Sequence, residues 1–120
     1  MKQTLKEQKA DIKHIWQDQI RTAIYYANEA AKNADDNGTC NFDMAMIYKE
    51  KHFTYAETIE IFRECGINAC KATDYSRFYT GLVALPNYVG QANRNTVWAE
   101  TFAKWLKEQG FKTSMYYQCD

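Results

Sequence analysis

The chain has 120 residues, of which 46% are apolar and 25% charged, and its fifteen basic residues balance fifteen acidic ones. That length and composition are typical of one globular domain with enough core to fold alone. A net charge of zero disfavours a protein that binds nucleic acid through a broad basic surface. A net charge of zero also means that no overall electrostatic repulsion opposes self-association, so a homodimer is among the expected states.

Membrane and secretion signals are missing from the sequence as it stands. It has no apolar stretch of 18 residues, and residues 1–9 have no apolar signal core. The sequence therefore predicts a soluble cytoplasmic protein with no membrane contact. The four cysteines, Cys40, Cys65, Cys70 and Cys119, include no Cys-x-x-Cys pair, so no metal site is predicted, and no cofactor is predicted either.

The first half of the chain predicts two helices around one strand. Apolar residues recur at three- and four-residue steps over residues 2–34, which indicates a long helix. Residues 39–48 alternate with a period of two, which predicts a strand with one fully apolar face. The second helix begins at a capping box formed by Thr54 and Glu57, and Gly66 ends it.

The second half predicts three more strands and one helix. Residues 67–72 form a short predicted strand, and residues 77–85 form a stronger one. Both faces of that stronger strand are apolar, which indicates a strand covered on both sides. After a loop at 86–95, a third helix is expected over residues 96–109 and a final strand over 111–119.

After the first helix, the predicted order is β-α-β-β-α-β, the pattern of a ferredoxin-like sandwich. We therefore expect one α+β domain over residues 1–120, with a βαββαβ core at 39–120 and an additional long helix at 1–35. In that topology the sheet order is fourth strand, first, third, second, with two helices on one face. The apolar stripe of the additional helix predicts that it crosses the other face of the sheet, or that it pairs with its copy in a dimer.

The loop and start of the third predicted helix carry a candidate anion site, made of Gly90, Gln91, Asn93 and Arg94. A helix N-terminus offers free backbone N–H groups and a partial positive charge, and a guanidinium binds phosphate or carboxylate through two parallel hydrogen bonds. The alternative is an ordinary capped helix start. The stretch has neither a Walker loop nor a dinucleotide-binding fingerprint.

Three further polar residues are candidates. Asn41 and Asp43 begin the first strand, and Asp43 is interpreted as a base, a metal ligand or a hydrogen-bond acceptor. The alternative is that Asp43 only bonds a helix or a turn. Arg77 is a further candidate for a nucleotide or nucleic-acid site that uses Arg94.

The predicted topology also brings the start of the first strand beside the end of the fourth. Cys40 should then lie near Cys119, as two buried thiols or, alternatively, as a redox pair or soft metal site. Tyr48, Tyr79 and Tyr116 lie on the sheet, where aromatic rings of RNA-binding domains stack bases. The sequence lacks the RNP signature of those domains, which favours core packing instead.

Three stretches carry a resemblance: residues 38–43 (GTCNFD), 90–94 (GQANR) and 115–120 (MYYQCD). They resemble small uncharacterised accessory proteins of phages and prophages of gut bacteria, over the last two thirds of the chain. The resemblance implies a context, because accessory phage proteins of this size often bind and block a host component, including defence systems. It assigns no functional residue.

No catalytic constellation is recognised in the sequence. We therefore expect a non-catalytic binding protein of a phage or mobile element that acts on a host protein, for example as an anti-CRISPR-like inhibitor of bacterial defence. Two alternatives stay open: a nucleotide or nucleic-acid binding module that uses the helix start near Arg94, and a small enzyme of unknown reaction.

Overall fold

The computed structural model describes residues 4–34, 43–49, 52–74, 81–86 and 93–116. Within these ranges the chain forms three α-helices and four β-strands, in the predicted order. Their bounds are α1 Leu5–Lys32, β1 Met44–Tyr48, α2 Tyr55–Glu64, β2 Asn68–Lys71, β3 Leu82–Leu85, α3 Asn93–Glu108 and β4 Lys112–Tyr116. A 3-10 turn, Ala72–Asp74, follows β2.

The four strands form one antiparallel sheet in the order β2-β3-β1-β4. This confirms the predicted α+β class and the strand order of a ferredoxin-like sheet. Ala45 of β1 lies opposite Ala84 of β3 on one side and opposite Met115 of β4 on the other. The helix α3 begins at Asn93, three residues earlier than predicted. Residues 39–42, 77–80 and 117–119, which are also predicted as strand, lie outside the described residues.

The long helix α1 lies on the same face of the sheet as α2 and α3. Its buried residues, Ile20, Ala23, Ala27 and Ala31, join one apolar cluster with Ala45 and Ile47 of β1 and with the buried residues of the other two helices. Its principal neighbour is α3, and α2 is the second. The expectation that α1 crosses the opposite face of the sheet is therefore wrong.

The reason for this placement lies in the size of the α1 side chains. Three of its four buried residues are alanines, so its backbone can approach a neighbouring helix closely. The indole of Trp98 on α3 fills this contact, and its Nε1 donates to Oδ1 of Asn28 at 2.8 Å. Because this stripe is buried within its own chain, it is not available to pair with the α1 of a copy.

The opposite face of the sheet is also apolar and buried. Met44 and Met46 of β1, Val83 of β3, Tyr116 of β4 and Ala72 form a second cluster there. Leu82 and Ala84 of β3 are buried on the helical face, and Val83 is buried on the opposite face. The prediction that β3 is covered on both faces is therefore confirmed. None of the described helices lies over this second cluster.

The helix α2 starts as predicted. The Thr54 hydroxyl accepts from the Glu57 N–H at 3.1 Å, and Oε1 of Glu57 accepts from the Thr54 N–H at 3.0 Å. Oε2 of Glu57 also accepts from Nζ of Lys9 at 2.9 Å, which joins α2 to α1. The Thr54 backbone bond and then the Lys9 bond hold the pKa of Glu57 below its usual value. Gly66, with φ of 96°, follows the helix as the left-handed residue expected there.

Candidate binding surfaces

The start of α3 is a polar junction between three elements. Nε of Arg94 donates to the Ala34 carbonyl at 3.0 Å, just beyond the end of α1. Nδ2 of Asn95 donates to the Asp43 carbonyl at 3.0 Å, and the Thr96 hydroxyl donates to Oδ2 of Asp43 at 2.7 Å. Asp43 is 5% exposed and immediately precedes β1. The junction therefore fixes the end of α1 and the start of β1 to the first turn of α3.

This geometry bears on the predicted anion site. The carboxylate of Asp43 already places a negative group beside the N-terminal turn of α3, where the helix dipole favours it. Arg94 is oriented by its bond to the Ala34 carbonyl. Gly90 and Gln91 lie outside the described residues, so the site formed with Asn93 and Arg94 stays a prediction.

Several other sequence candidates also lie outside the described residues. They are Asn41, Arg77, Tyr79, and the cysteines Cys40 and Cys119. Tyr48 is described, and its hydroxyl bonds Oγ of Ser114 at 3.0 Å. Tyr116 is 7% exposed in the second apolar cluster, which agrees with the core packing favoured by the sequence.

The junction yields one stability prediction. Thr96→Val removes the hydroxyl donor while keeping the shape of the side chain, so the buried Asp43 carboxylate loses a partner. We expect the free energy of unfolding to fall by about 1–3 kcal/mol, measured by urea denaturation. Thr96→Ser keeps the donor and should stay close to wild type. Equal stability of the Val and Ser variants would show that this bond contributes nothing.

A group of aromatic side chains, two of them exposed and one half-buried, lies where α1 meets α3. We define the aromatic patch as Tyr25, Tyr26 and Trp105. The rings of Tyr26 and Trp105 are stacked, with centroids 4.2 Å apart and planes 3° from parallel. Tyr25 meets Tyr26 edge to face at 5.3 Å. Tyr25 is 59% exposed and Tyr26 is 42% exposed, so the patch presents ordered rings to solvent.

Sequence reasoning missed this patch. The periodicity of α1 places Ile15 in the buried stripe, yet Ile15 is 55% exposed. Ile15 and Tyr26 are eleven residues apart, about three helical turns, so they lie on the same side of α1. The signal for the patch is a set of apolar or aromatic residues of α1, Ile15 and Tyr26, that lie outside the buried stripe of alanines.

A small cleft separates α1 from the start of β4. Trp16, Tyr48, Phe111 and Lys112 line it with Gln109 and Gly110, and its volume is about 170 Å³. The ring centroid of Trp16 lies 4.9 Å from those of both Phe53 and Phe111, and Trp16 and Phe111 form the apolar wall of the cleft. The volume is below the roughly 300–1,000 Å³ of ordinary ligand pockets, so this cleft is a weaker candidate than the patch.

Reactive groups are few among the described residues. No cluster of three or more His, Cys, Asp or Glu side chains with metal-binding geometry occurs in the part of the chain that is described. The Sγ of Cys65 donates to the Gln17 carbonyl at 3.8 Å, and burial raises the pKa of this thiol. It therefore stays protonated at neutral pH. None of the described helices is long and apolar enough to cross a bilayer.

Comparisons of the chain with protein-family models, with curated proteins and with solved structures give no match.

Proposed function

We propose that this chain is a non-catalytic binding protein of a phage or mobile element. It acts on a host protein, for example as an inhibitor of a bacterial defence system. The observation that carries the proposal is the aromatic patch. Two tyrosines are exposed there, at 59% and 42%. Tyrosine and tryptophan dominate the well-packed centres of protein interfaces.

The order within the patch supports the same proposal. Tyr26 lies flat on Trp105, and Trp105 is half-buried against the helical core. Rings held in place before binding lose little conformational freedom when a partner covers them, which favours affinity. Asp18 and Arg21 lie one to two turns before Tyr25 and form an ion pair at 3.7 Å. They supply the polar rim that usually surrounds an apolar interface centre.

The nucleotide alternative receives less support. It depends on Arg94, whose Nε is bonded to Ala34, and on a helix start that holds the carboxylate of Asp43. Thermal-shift measurements with nucleoside phosphates address it directly. A stabilisation that Arg94→Ala abolishes would favour this alternative over the protein partner.

The test of the proposal is quantitative affinity capture from lysates of gut bacteria, followed by binding of the purified partner. The double variant Tyr25→Ala/Tyr26→Ala should weaken that binding at least about tenfold, since aromatic anchors at an interface centre cost more than about 1.4 kcal/mol when truncated. Leu5→Ala is the matched control, because Leu5 is a 70% exposed apolar residue of the same helix. It should leave binding unchanged.

Two outcomes would contradict the proposal. One is a partner that binds the double variant as tightly as wild type. The other is a partner whose activity in a purified assay is the same with and without the wild-type protein. Circular dichroism of each variant confirms that the fold is retained.

A further inference from the structure

The cleft between α1 and the start of β4 is lined by three aromatic residues. Trp16 lines it from α1, Tyr48 from the end of β1, and Phe111 from the residue before β4. Two other grooves that the described residues form, between α3 and β4 and between α2 and β2, have no aromatic residue in their lining. Aromatic rings attract one another at centroid separations of about 4.5–7 Å, so this cleft favours a ligand that has a ring.

The volume of the cleft matches a single ring. It is about 170 Å³, and an apolar protein cavity of about 150 Å³ holds one benzene molecule. A drug-sized ligand needs a pocket of about 300–1,000 Å³ and would not fit. Any further group on the ring therefore lies at the mouth of the cleft, beside the exposed residues Gln109 and Lys112.

The aromatic walls are ordered by contacts within the protein. The ring centroid of Trp16 lies 4.9 Å from that of Phe53 and 4.9 Å from that of Phe111. The Tyr48 hydroxyl forms a hydrogen bond with Oγ of Ser114 at 3.0 Å. Because these side chains are already held in place, a ligand would cost them little conformational freedom, which favours the binding of even a small molecule.

Lys112 gives the cleft a positive charge. Of the six described residues that line the cleft, only Lys112 is charged, and within the described part of the chain its ammonium group has no ion-pair partner. Tyr48 and Lys112 lie opposite each other in the β1–β4 pair, so their side chains leave the sheet on the same side. The Leu106 carbonyl, near the end of α3, accepts from the Phe111 N–H at 3.0 Å, which limits its repulsion of an anion.

We propose that this cleft binds a small aromatic acid, meaning one six-membered aromatic ring that carries one carboxylate. The ring lies among Trp16, Tyr48 and Phe111. The carboxylate lies at the mouth of the cleft, where it accepts from the Lys112 ammonium and the Gln109 amide. A charge-assisted hydrogen bond is roughly twice as strong as a neutral one, so the acid binds better than its neutral analogues. This site is separate from the proposed function, because no residue of the aromatic patch lines the cleft.

Benzoate is the probe, and its binding is followed by two-dimensional nitrogen–proton NMR of the labelled protein. Benzoate should shift the backbone amide signals of Gly110, Phe111 and Lys112 and the indole N–H signal of Trp16, with a Kd on the order of 0.1–1 mM. Benzamide has nearly the same shape without the charge and should bind at least about fivefold more weakly. Acetate has the charge without the ring and should shift none of these signals up to about 10 mM. Cyclohexanecarboxylate has a ring without a π-face and should bind more weakly than benzoate.

A lysine variant tests the charge. Lys112→Gln keeps most of the side-chain length and removes the ammonium group. It should weaken benzoate binding at least about fivefold and leave benzamide binding unchanged. Lys104→Gln is the matched control, because Lys104 is an exposed lysine of α3 that does not line the cleft. It should leave the affinity for both ligands at the wild-type value.

Any of four results overturns the proposal. They are no signal shift with benzoate up to about 10 mM, shifts centred away from the cleft, benzamide binding as tight as benzoate binding, and equal effects of Lys112→Gln and Lys104→Gln. Tyr25→Ala/Tyr26→Ala should leave the benzoate titration unchanged. A failure of benzoate to bind would therefore leave the proposed protein partner unaffected, and loss of that partner would leave the cleft unaffected.

Discussion

Replacing Trp98 with alanine should lower the free energy of unfolding by about 3–5 kcal/mol, the range typical of truncating a fully buried aromatic side chain. Trp98 is fully buried, and its ring stacks on Phe102 with centroids 4.7 Å apart. It fills the contact between α1 and α3, so its removal leaves a cavity that two rigid helices cannot close. Since domains are stable by only about 5–15 kcal/mol, the variant should unfold at a much lower urea concentration.

Two companion variants keep this prediction measurable. Trp98→Phe keeps a ring against Phe102 but loses the bond to Asn28 and part of the volume, so it should cost about 1–3 kcal/mol. Leu5→Ala, at an exposed position, should stay within about 0.5 kcal/mol of wild type. If Trp98→Ala behaved like Leu5→Ala in urea denaturation followed by circular dichroism, the helical side of the core would not depend on this contact.

Gly81→Ala should lower the free energy of unfolding by about 2–5 kcal/mol, through backbone strain and a steric clash together. Gly81 immediately precedes β3 with φ of 95°, a conformation in which a side chain is strained. A Cβ there would also lie 2.7 Å from the carbonyl oxygen of Ile47 in the neighbouring strand. That atom belongs to the backbone, so the clash is relieved only by moving β1 away from β3, which adds the cost of overpacking.

Gly66→Ala is the matched control for this prediction. Gly66 has nearly the same φ, 96°, but no atom lies within 4 Å of the position that an alanine Cβ would take. It should therefore cost only the conformational strain, about 1–2 kcal/mol. The difference between the two variants, measured by urea denaturation, isolates the contacts with the Ile47 carbonyl and the Tyr48 ring. If both variants lost the same free energy of unfolding, β1 would accommodate the alanine Cβ at residue 81 without a further loss of stability.

The order of elements was predictable because each signal is local. The reciprocal bonds between Thr54 and Glu57 need only two residues of the right type three positions apart. Apolar residues on both faces of β3 likewise indicate a strand that is buried on both sides. With the element order in hand, the strand order followed from the ferredoxin-like topology.

The position of α1 was not predictable in the same way. Its stripe shows that one side is buried, but many apolar surfaces could bury it. What selects the helical side is the match between alanines on α1 and one large ring, Trp98, together with the bonds from Lys9 and Lys13 to α2. Such complementarity is a property of pairs of distant residues, which no periodicity reveals.

The candidate sites show the same difference between features that are local in sequence and features that depend on packing. Asp43 and Arg94 were identifiable by residue type, and the structure gives both of them partners inside the fold. The aromatic patch combines α1 with α3, so it exists only once the two helices are packed together. Sequence patterns within either helix show its members but not their proximity.

The partners of α1 on α3 lie far along the chain, because the bonds of Ala34 and Asn28 reach residues 60 and 70 positions later. On a ribosome that adds about 5–20 residues per second, the first helix is made several seconds before the surface it packs on. During that interval its apolar stripe faces water or a chaperone, and docking of α1 becomes a late step in folding.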